Sequence, residues 1–368
     1  MKIKIVFIHT ISNTPYKHEF YNSLCKEFEV HVIHLSSQSS IRDWDEIYSK
    51  KYTEYVLNSM EINKRSKLYS INKILKIVRL IDPQIIVSPG YHRIEFLITP
   101  LIFSNKITIC DIASTQRDKS RNKVKERIKS FLITCLFDYL FTYGKASKNY
   151  LVEGLNIPEA KVFIRGNYSH LQLVSQNLPD FKEREYTLLY VGRFSEEKNL
   201  FFLIDAFLTS KNKYQNPYRL KLIGNGVLKE EIKNYILEKN MQESIIIEDH
   251  LSAEKLIEEY KKARILILPS LSEPWGQVIN EAMHFGLPII ISKNCGCVED
   301  LCKTTNSFIF NPTIKEQLVD IFNHLLMDES KQINMSKHSI EIIKDYSIPN
   351  LSEKQINIFN EIIEKHRN

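Results

Sequence analysis

Short apolar runs alternate with longer helical stretches along the whole chain, and that alternation leaves few folds open. Residues 3–9, 30–35, 85–88, 107–111 and 139–143 read as strands of one sheet, with helices at 19–27, 71–81 and 124–136. Residues 187–191, 219–223, 245–248, 265–268, 288–292 and 307–310 read as a second set, with helices that include 200–208, 228–239 and 253–263. The predicted fold class is α/β, with two doubly wound Rossmann-like domains facing a cleft. The stretch 177–185 is polar, contains Pro179 and is the expected linker. The expected divisions are residues 1–180, residues 181–348 and a C-terminal segment 349–368 with a helical pattern.

A length of 368 residues favours two or three domains over one. No segment reaches the ~18 consecutive apolar residues of a membrane span. The N-terminal apolar run is too short for a signal peptide and reads as a buried first strand. Six cysteines are few for this length, so a reduced, cytoplasmic protein is expected. Cys295, Cys297 and Cys302 lack the Cys-x-x-Cys spacing of a metal site, and no histidine lies close in sequence. They read as buried thiols.

Charge is unevenly spread. Residues 1–170 carry 26 Lys and Arg against 16 Asp and Glu, whereas residues 171–368 carry 24 against 28. The densest basic run, 117–129, holds seven basic and two acidic residues and is followed by the apolar stretch 131–136. It suits a solvated helix face, or attraction to anionic lipid headgroups on the inner face of a cytoplasmic membrane. A nucleic-acid partner is not expected, because no RNA-binding motif or zinc-finger spacing accompanies the charge.

The most informative segment runs from Ser270 to Pro288. A strand leads to a loop holding Glu273, then Gly276, then a helix expected to begin near Gln277, carry Glu281 and stop at Gly286. Glu273 thus stands at a strand's carboxyl end, where open α/β sheets bind ligands. The first helical N–H groups, at Gln277 and Val278, are available to an anion. On residue chemistry alone Glu281 could equally complement the helix dipole. Upstream, Val191-Gly192-Arg193-Phe194-Ser195-Glu196-Glu197-Lys198-Asn199 joins a strand-ending glycine to two positive charges. Charges so placed suit a bound anion. A second strand runs into Gly224-Asn225-Gly226.

Taken together and in this order, the three segments resemble the retaining glycosyltransferases of family 4 (glycosyl transferases group 1), which have the GT-B fold. Specific motifs cover roughly residues 185–315; over the first domain the likeness is architectural. The resemblance implies that Glu273 faces the donor sugar and that Glu281 accepts hydrogen bonds from ribose hydroxyls. It further implies a nucleotide-diphosphate site at Gly192, Arg193, Lys198, Gly224, Gly276, Gln277 and Val278. It implies a C-terminal helix that packs back on the first domain. The implied reaction moves a sugar from a nucleotide-diphosphate sugar to a saccharide or lipid-linked saccharide, as in bacterial surface polysaccharide assembly. No cofactor and no metal are expected, since Arg193, Lys198 and the helix start near Gln277 can carry the charge of a diphosphate. Glu299 only partly matches the family's Gly-Gly-x-x-Glu.

The first domain departs from the pattern after its first strand. The loop Thr10-Ile11-Ser12-Asn13-Thr14-Pro15-Tyr16 has no glycine pair, although Ser12, Asn13 and Thr14 offer other donors. His92, after a strand, suits a contact to sugar or acceptor, or an ordinary surface position. Asp111, at a strand end, suits a general base for the acceptor hydroxyl or a turn residue. Two rival readings are a sugar-nucleotide epimerase or phosphorylase on the same architecture, and a non-enzymatic basic module that binds anionic polymer or membrane. The second leaves Glu273, Glu281, Arg193 and Lys198 without a shared task.

Overall fold

The computed structural model describes residues 2–11, 15–36, 49–58, 66–115, 123–169, 178–214 and 217–367. The chain divides into two units. One holds residues 1–116, 120–168 and 348–368; the other holds residues 117–119 and 169–347.

The first unit contains β1 (Lys4–Ile11), α1 (Pro15–Leu24), β2 (Glu29–Ser36), β3 (Thr53–Val56), α2 (Lys67–Ile81), β4 (Ile85–Ser88), α3 (Ile94–Ile102), β5 (Ile107–Ile112), α4 (Lys123–Leu136), β6 (Tyr139–Thr142), α5 (Lys145–Asn149) and β7 (Val162–Ile164). Its strands form one parallel sheet in the order β3-β2-β1-β4-β5-β6-β7. β4 is wholly buried, and Val6, Ile8, Ile33 and Ile86 pack beneath Ile74, Leu75 and Val78 of α2.

The second unit contains β8 (Thr187–Val191), α6 (Leu200–Tyr214), β9 (Arg219–Ile223), α7 (Lys229–Glu238), β10 (Ile245–Glu248), α8 (Ala253–Lys262), β11 (Ile265–Leu268), α9 (Gln277–His284), β12 (Ile289–Ser292), α10 (Val298–Leu301), β13 (Ser307–Phe310), α11 (Lys315–Leu326) and α12 (Glu329–Ile343). The sheet is again parallel, ordered β10-β9-β8-β11-β12-β13. Strand order reverses between β8 and β11, and between β1 and β4 in the first unit. In a doubly wound sheet the carboxyl ends at that reversal are where ligands bind.

The last helix, α13 (Ile348–Arg367), belongs to the first unit. It carries a stripe of Ile348, Leu351, Ile358, Phe359 and Ile362, all buried. The Phe359 ring meets those of Phe7, Phe28 and Phe141 at 6.2, 5.5 and 5.6 Å.

Five expectations need adjusting, one being the short edge strand β7, which was not expected. The first helix begins at Pro15 rather than 19 and ends at Leu24, because Cys25 and Phe28 turn back on the carbonyls of Tyr21 and Leu24. β3 was not expected: it is a half-exposed edge strand, so its side chains do not form an apolar run. α3 was not expected either; it contains Pro100 and is apolar nearly all round. Finally, the described part of 177–185 is packed chain. Arg264, fully buried, donates to the carbonyls of Arg184 (3.0 Å) and Lys182 (3.0 Å) and to Glu329 (2.7 Å). Arg184 donates to the Phe285 carbonyl at 2.9 Å. The units divide at Tyr168, ahead of this clamp.

Candidate active site

The strand reversal of the second unit places two loops side by side, one after β8 and one after β11. Lys198 lies in the turn before α6 and is buried; Glu273 lies in the loop after β11. The two side chains form an ion pair, with side-chain exposures of 11% and 16%. That partial burial makes the pair more than a surface contact, since desolvation strengthens charge attraction. Each partner is fixed by backbone. The Leu271 N–H donates to the Glu197 carbonyl (2.8 Å), and Asn199, in a left-handed conformation, donates to the carbonyls of Pro312 (3.0 Å) and Pro269 (3.4 Å). Glu273 bridges to Cys295, and its carbonyl accepts from the Gly296 N–H at 2.9 Å. Tyr190, at the base of this loop pair, donates to the Arg193 carbonyl at 2.8 Å. Burial, then Glu273 and Glu197, pushes its phenol well above the ordinary range, so it stays a neutral donor.

Arg193 differs from Lys198. Its side chain is 74% exposed and pairs with Glu197 at 3.2 Å. The glycines have a packing role. The Gly192 N–H donates to the Ile223 carbonyl (3.0 Å) and the Gly224 N–H to the Glu248 carbonyl (3.0 Å), so both donors serve the fold. A Cβ on Gly224, at φ +150°, would stand 1.9 Å from the Gly192 oxygen. These two turns therefore lie backbone on backbone.

Gly276 adopts φ +100° as the residue before α9. Only glycine takes that conformation without strain, and it turns the chain so that the N–H groups of Gln277 and Val278 open the helix. Glu281 follows one turn on and is buried. Its Oε2 accepts from the Tyr260 hydroxyl at 2.8 Å. Burial and Glu281 push the Tyr260 phenol well up. Glu299 is exposed in the first turn of α10. Among the described residues no group of three His, Cys, Asp or Glu side chains could hold a metal ion, and Cys295, Cys297 and Cys302 are buried thiols.

In the first unit the carboxyl edge carries its own cluster. Arg165 holds Asp111 with two parallel bonds, Nε to Oδ1 at 2.9 Å and Nη2 to Oδ2 at 2.7 Å. Its guanidinium lies 4.5 Å from the Tyr143 ring centre. Both oxygens a general base would use are thus engaged. Asp111→Asn should cost stability at the low end of the about 3–5 kcal/mol expected for breaking a buried pair. An unfolding free energy from denaturant titration within about 0.5 kcal/mol of wild type would show the pair to be idle. Lys17, in the first turn of α1, lies 3.3 Å from His9 Nδ1, and the Tyr21 hydroxyl bonds His9 Nε2. Burial pushes Lys17 down to about 8, and burial and then Lys17 hold His9 well below its usual value, hence neutral. His92 is exposed, and the Gly90 turn brings its ring against Phe96. Residues 12–14 and 117–122 lie outside the described residues.

Sequence reasoning passed over Tyr190, Tyr260, Arg165 and Lys17. Tyr190 and Lys17 stand beside segments it singled out. Tyr260 and Arg165 reach their carboxylates from other elements, and no spacing rule points to them.

Residues 176–341 match the family described as glycosyl transferases group 1. Those residues, fewer than half of the chain, are similar to that family. The match lies within the second unit, where the Lys198–Glu273 pair sits. An uncharacterized glycosyltransferase of Methanocaldococcus jannaschii is 22% identical over 232 residues, 60% of this chain and 59% of that protein. A second relative is the N-acetylgalactosamine-N,N'-diacetylbacillosaminyl-diphospho-undecaprenol 4-alpha-N-acetylgalactosaminyltransferase of Campylobacter jejuni. It is 25% identical over 243 residues, 61% of this chain and 62% of its own. The chain thus spans about three fifths of these two relatives. The Anabaena HepE, solved in complex with UDP, superposes with a TM-score of 0.74 at 14% identity, covering 98% of this chain and 100% of its own. That likeness shows the fold, GT-B, with its two parallel sheets.

Proposed function

We propose that this chain transfers a sugar, with retention at the anomeric carbon, from a nucleotide-diphosphate sugar to a saccharide or lipid-linked saccharide acceptor. The observation that carries the reading is the Lys198–Glu273 pair at the strand reversal of the second unit. Lys198, Arg193 and the first N–H groups of α9 together supply positive charge for a diphosphate without a metal. Glu273 supplies negative charge for the sugar end, where positive character develops in the transition state. Glu281, held by Tyr260, presents a fixed carboxylate for ribose hydroxyls. The acceptor side is assigned to the first unit with His92, and Asp111 is read as the partner of Arg165 rather than as the base. The Campylobacter relative, by its name, acts on a diphospho-undecaprenol saccharide, which supports a lipid-linked acceptor and a place in surface polysaccharide assembly at the cytoplasmic side of a membrane.

A thermal-shift screen against UDP, GDP, ADP and CMP, with a chelator present, tests the donor class. A ligand that binds only the folded state raises the midpoint. One nucleoside diphosphate should do so and the chelator should not abolish it. No shift with any of them, or a shift that requires manganese, would contradict the reading.

Arg193→Ala and Lys198→Ala should each weaken nucleoside diphosphate binding more than nucleoside binding, by about 1.5–3 kcal/mol in a calorimetric titration. Only Lys198→Ala should also lower stability, because it strands Glu273, whereas an exposed pair such as Arg193–Glu197 contributes about 0–1 kcal/mol. Equal losses for both ligands would place the phosphates elsewhere.

A further inference from the structure

α4 carries an exposed apolar stripe: Val124, Ile128, Phe131, Leu132 and Cys135, with Phe131 68% and Val124 63% exposed. At about 100° per residue these five positions fall on one face. The exposed Lys125 and Arg127 fall roughly 80° to either side of it. The one acidic residue of the helix, Glu126, points the opposite way and accepts from the Tyr150 hydroxyl. Lys129 also turns inward, donating to Tyr150 at 2.6 Å. Among the described residues of α4, the charge at the rim of the stripe is therefore positive.

α3 continues this surface. The crossovers β4–α3–β5 and β5–α4–β6 step the same way along the sheet, so right-handed connections put both helices on one face, and the two pack side by side. α3 adds Ile94, Leu101 and Ile102, all exposed, with Leu101 at 63%. Apolar area of this extent outside a core marks an interaction surface.

We infer that the α3–α4 face docks on an anionic lipid bilayer, with Ile128 and Phe131 entering the headgroup–acyl boundary and Lys125 and Arg127 meeting headgroup charge. A second copy of the chain suits the face less well, because a symmetric contact returns each residue's surroundings to itself and sets the basic rims against each other. A bilayer supplies both the apolar interior and the opposite charge. The inference does not depend on the donor chemistry, and it narrows the basic run 117–129 to the residues of the helix that face outward.

The test is co-sedimentation with vesicles of phosphatidylcholine containing phosphatidylglycerol, against pure phosphatidylcholine, at about 0.15 M salt. The wild type should pellet with the anionic vesicles only and be released by high salt. Ile128→Ser/Phe131→Ser and Lys125→Glu/Arg127→Glu should each weaken binding roughly tenfold or more. Both should keep the wild-type thermal midpoint and nucleotide response, so a loss cannot be laid to misfolding, and a failed donor reading would leave the vesicle result untouched. A wild type that stays in the supernatant, or variants that pellet as it does, would overturn the inference. So would a wild-type dimer that Ile128→Ser/Phe131→Ser turns into monomers while vesicle binding is absent.

Discussion

Glu273→Gln should lower turnover about a hundredfold or more while changing nucleoside diphosphate affinity less than about threefold, roughly 0.65 kcal/mol. The substitution keeps the side chain's shape and an oxygen for Lys198, and removes only the charge. A charge that acts mainly in the transition state is lost from kcat, not from ground-state binding. The loop should hold, since the Gly296 N–H bonds the Glu273 backbone carbonyl and Asn199 ties the other loop to Pro269 and Pro312. Steady-state kinetics with a calorimetric titration separates the two quantities. Turnover within about threefold of wild type would remove Glu273 from the chemistry.

Gly224→Ala should be the most damaging small substitution in the second unit. The new Cβ would stand 1.9 Å from the Gly192 oxygen, and the backbone there has φ +150°. Neither chain can retreat: Gly192 is bonded to Ile223 and Gly224 to Glu248. A loss of about 4 kcal/mol or more, or no soluble protein, is expected, in the range reserved for backbone strain and overpacking. Arg193→Ala, one loop away, should stay within about 1 kcal/mol of wild type in the same denaturant series. If Gly224→Ala matches it, the glycines serve something other than the packing of these two turns.

Much of the architecture could be read from the chain because parallel strands buried on both faces appear as plain apolar runs. β8, β9, β10, β11 and β13 stand at the residues the runs mark, and α9 begins at Gln277. The start of α9 was legible because Gly276 is followed at once by an amphipathic pattern, and its end because Gly286 takes φ +68°. What was not legible depends on partners far along the chain. Asp111 is at a strand end, as a catalytic base would be, yet Arg165 reaches it across 54 positions. Glu281 looks like a helix-dipole residue until Tyr260 is placed against it. The stretch before β8 is polar, as a linker would be, and Arg264 satisfies its carbonyls from the start of β11. α3 hides because an apolar helix containing proline has neither a polar face nor a clean period.

The most direct test of the donor assignment is nucleoside diphosphate release. The purified chain is incubated with a panel of nucleotide-diphosphate sugars in the presence of a chelator, with Glu273→Gln alongside. The account predicts release from one donor above the uncatalysed rate, unaffected by the chelator and lost in Glu273→Gln. Release from no member of the panel, or equal release by wild type and Glu273→Gln, would contradict it.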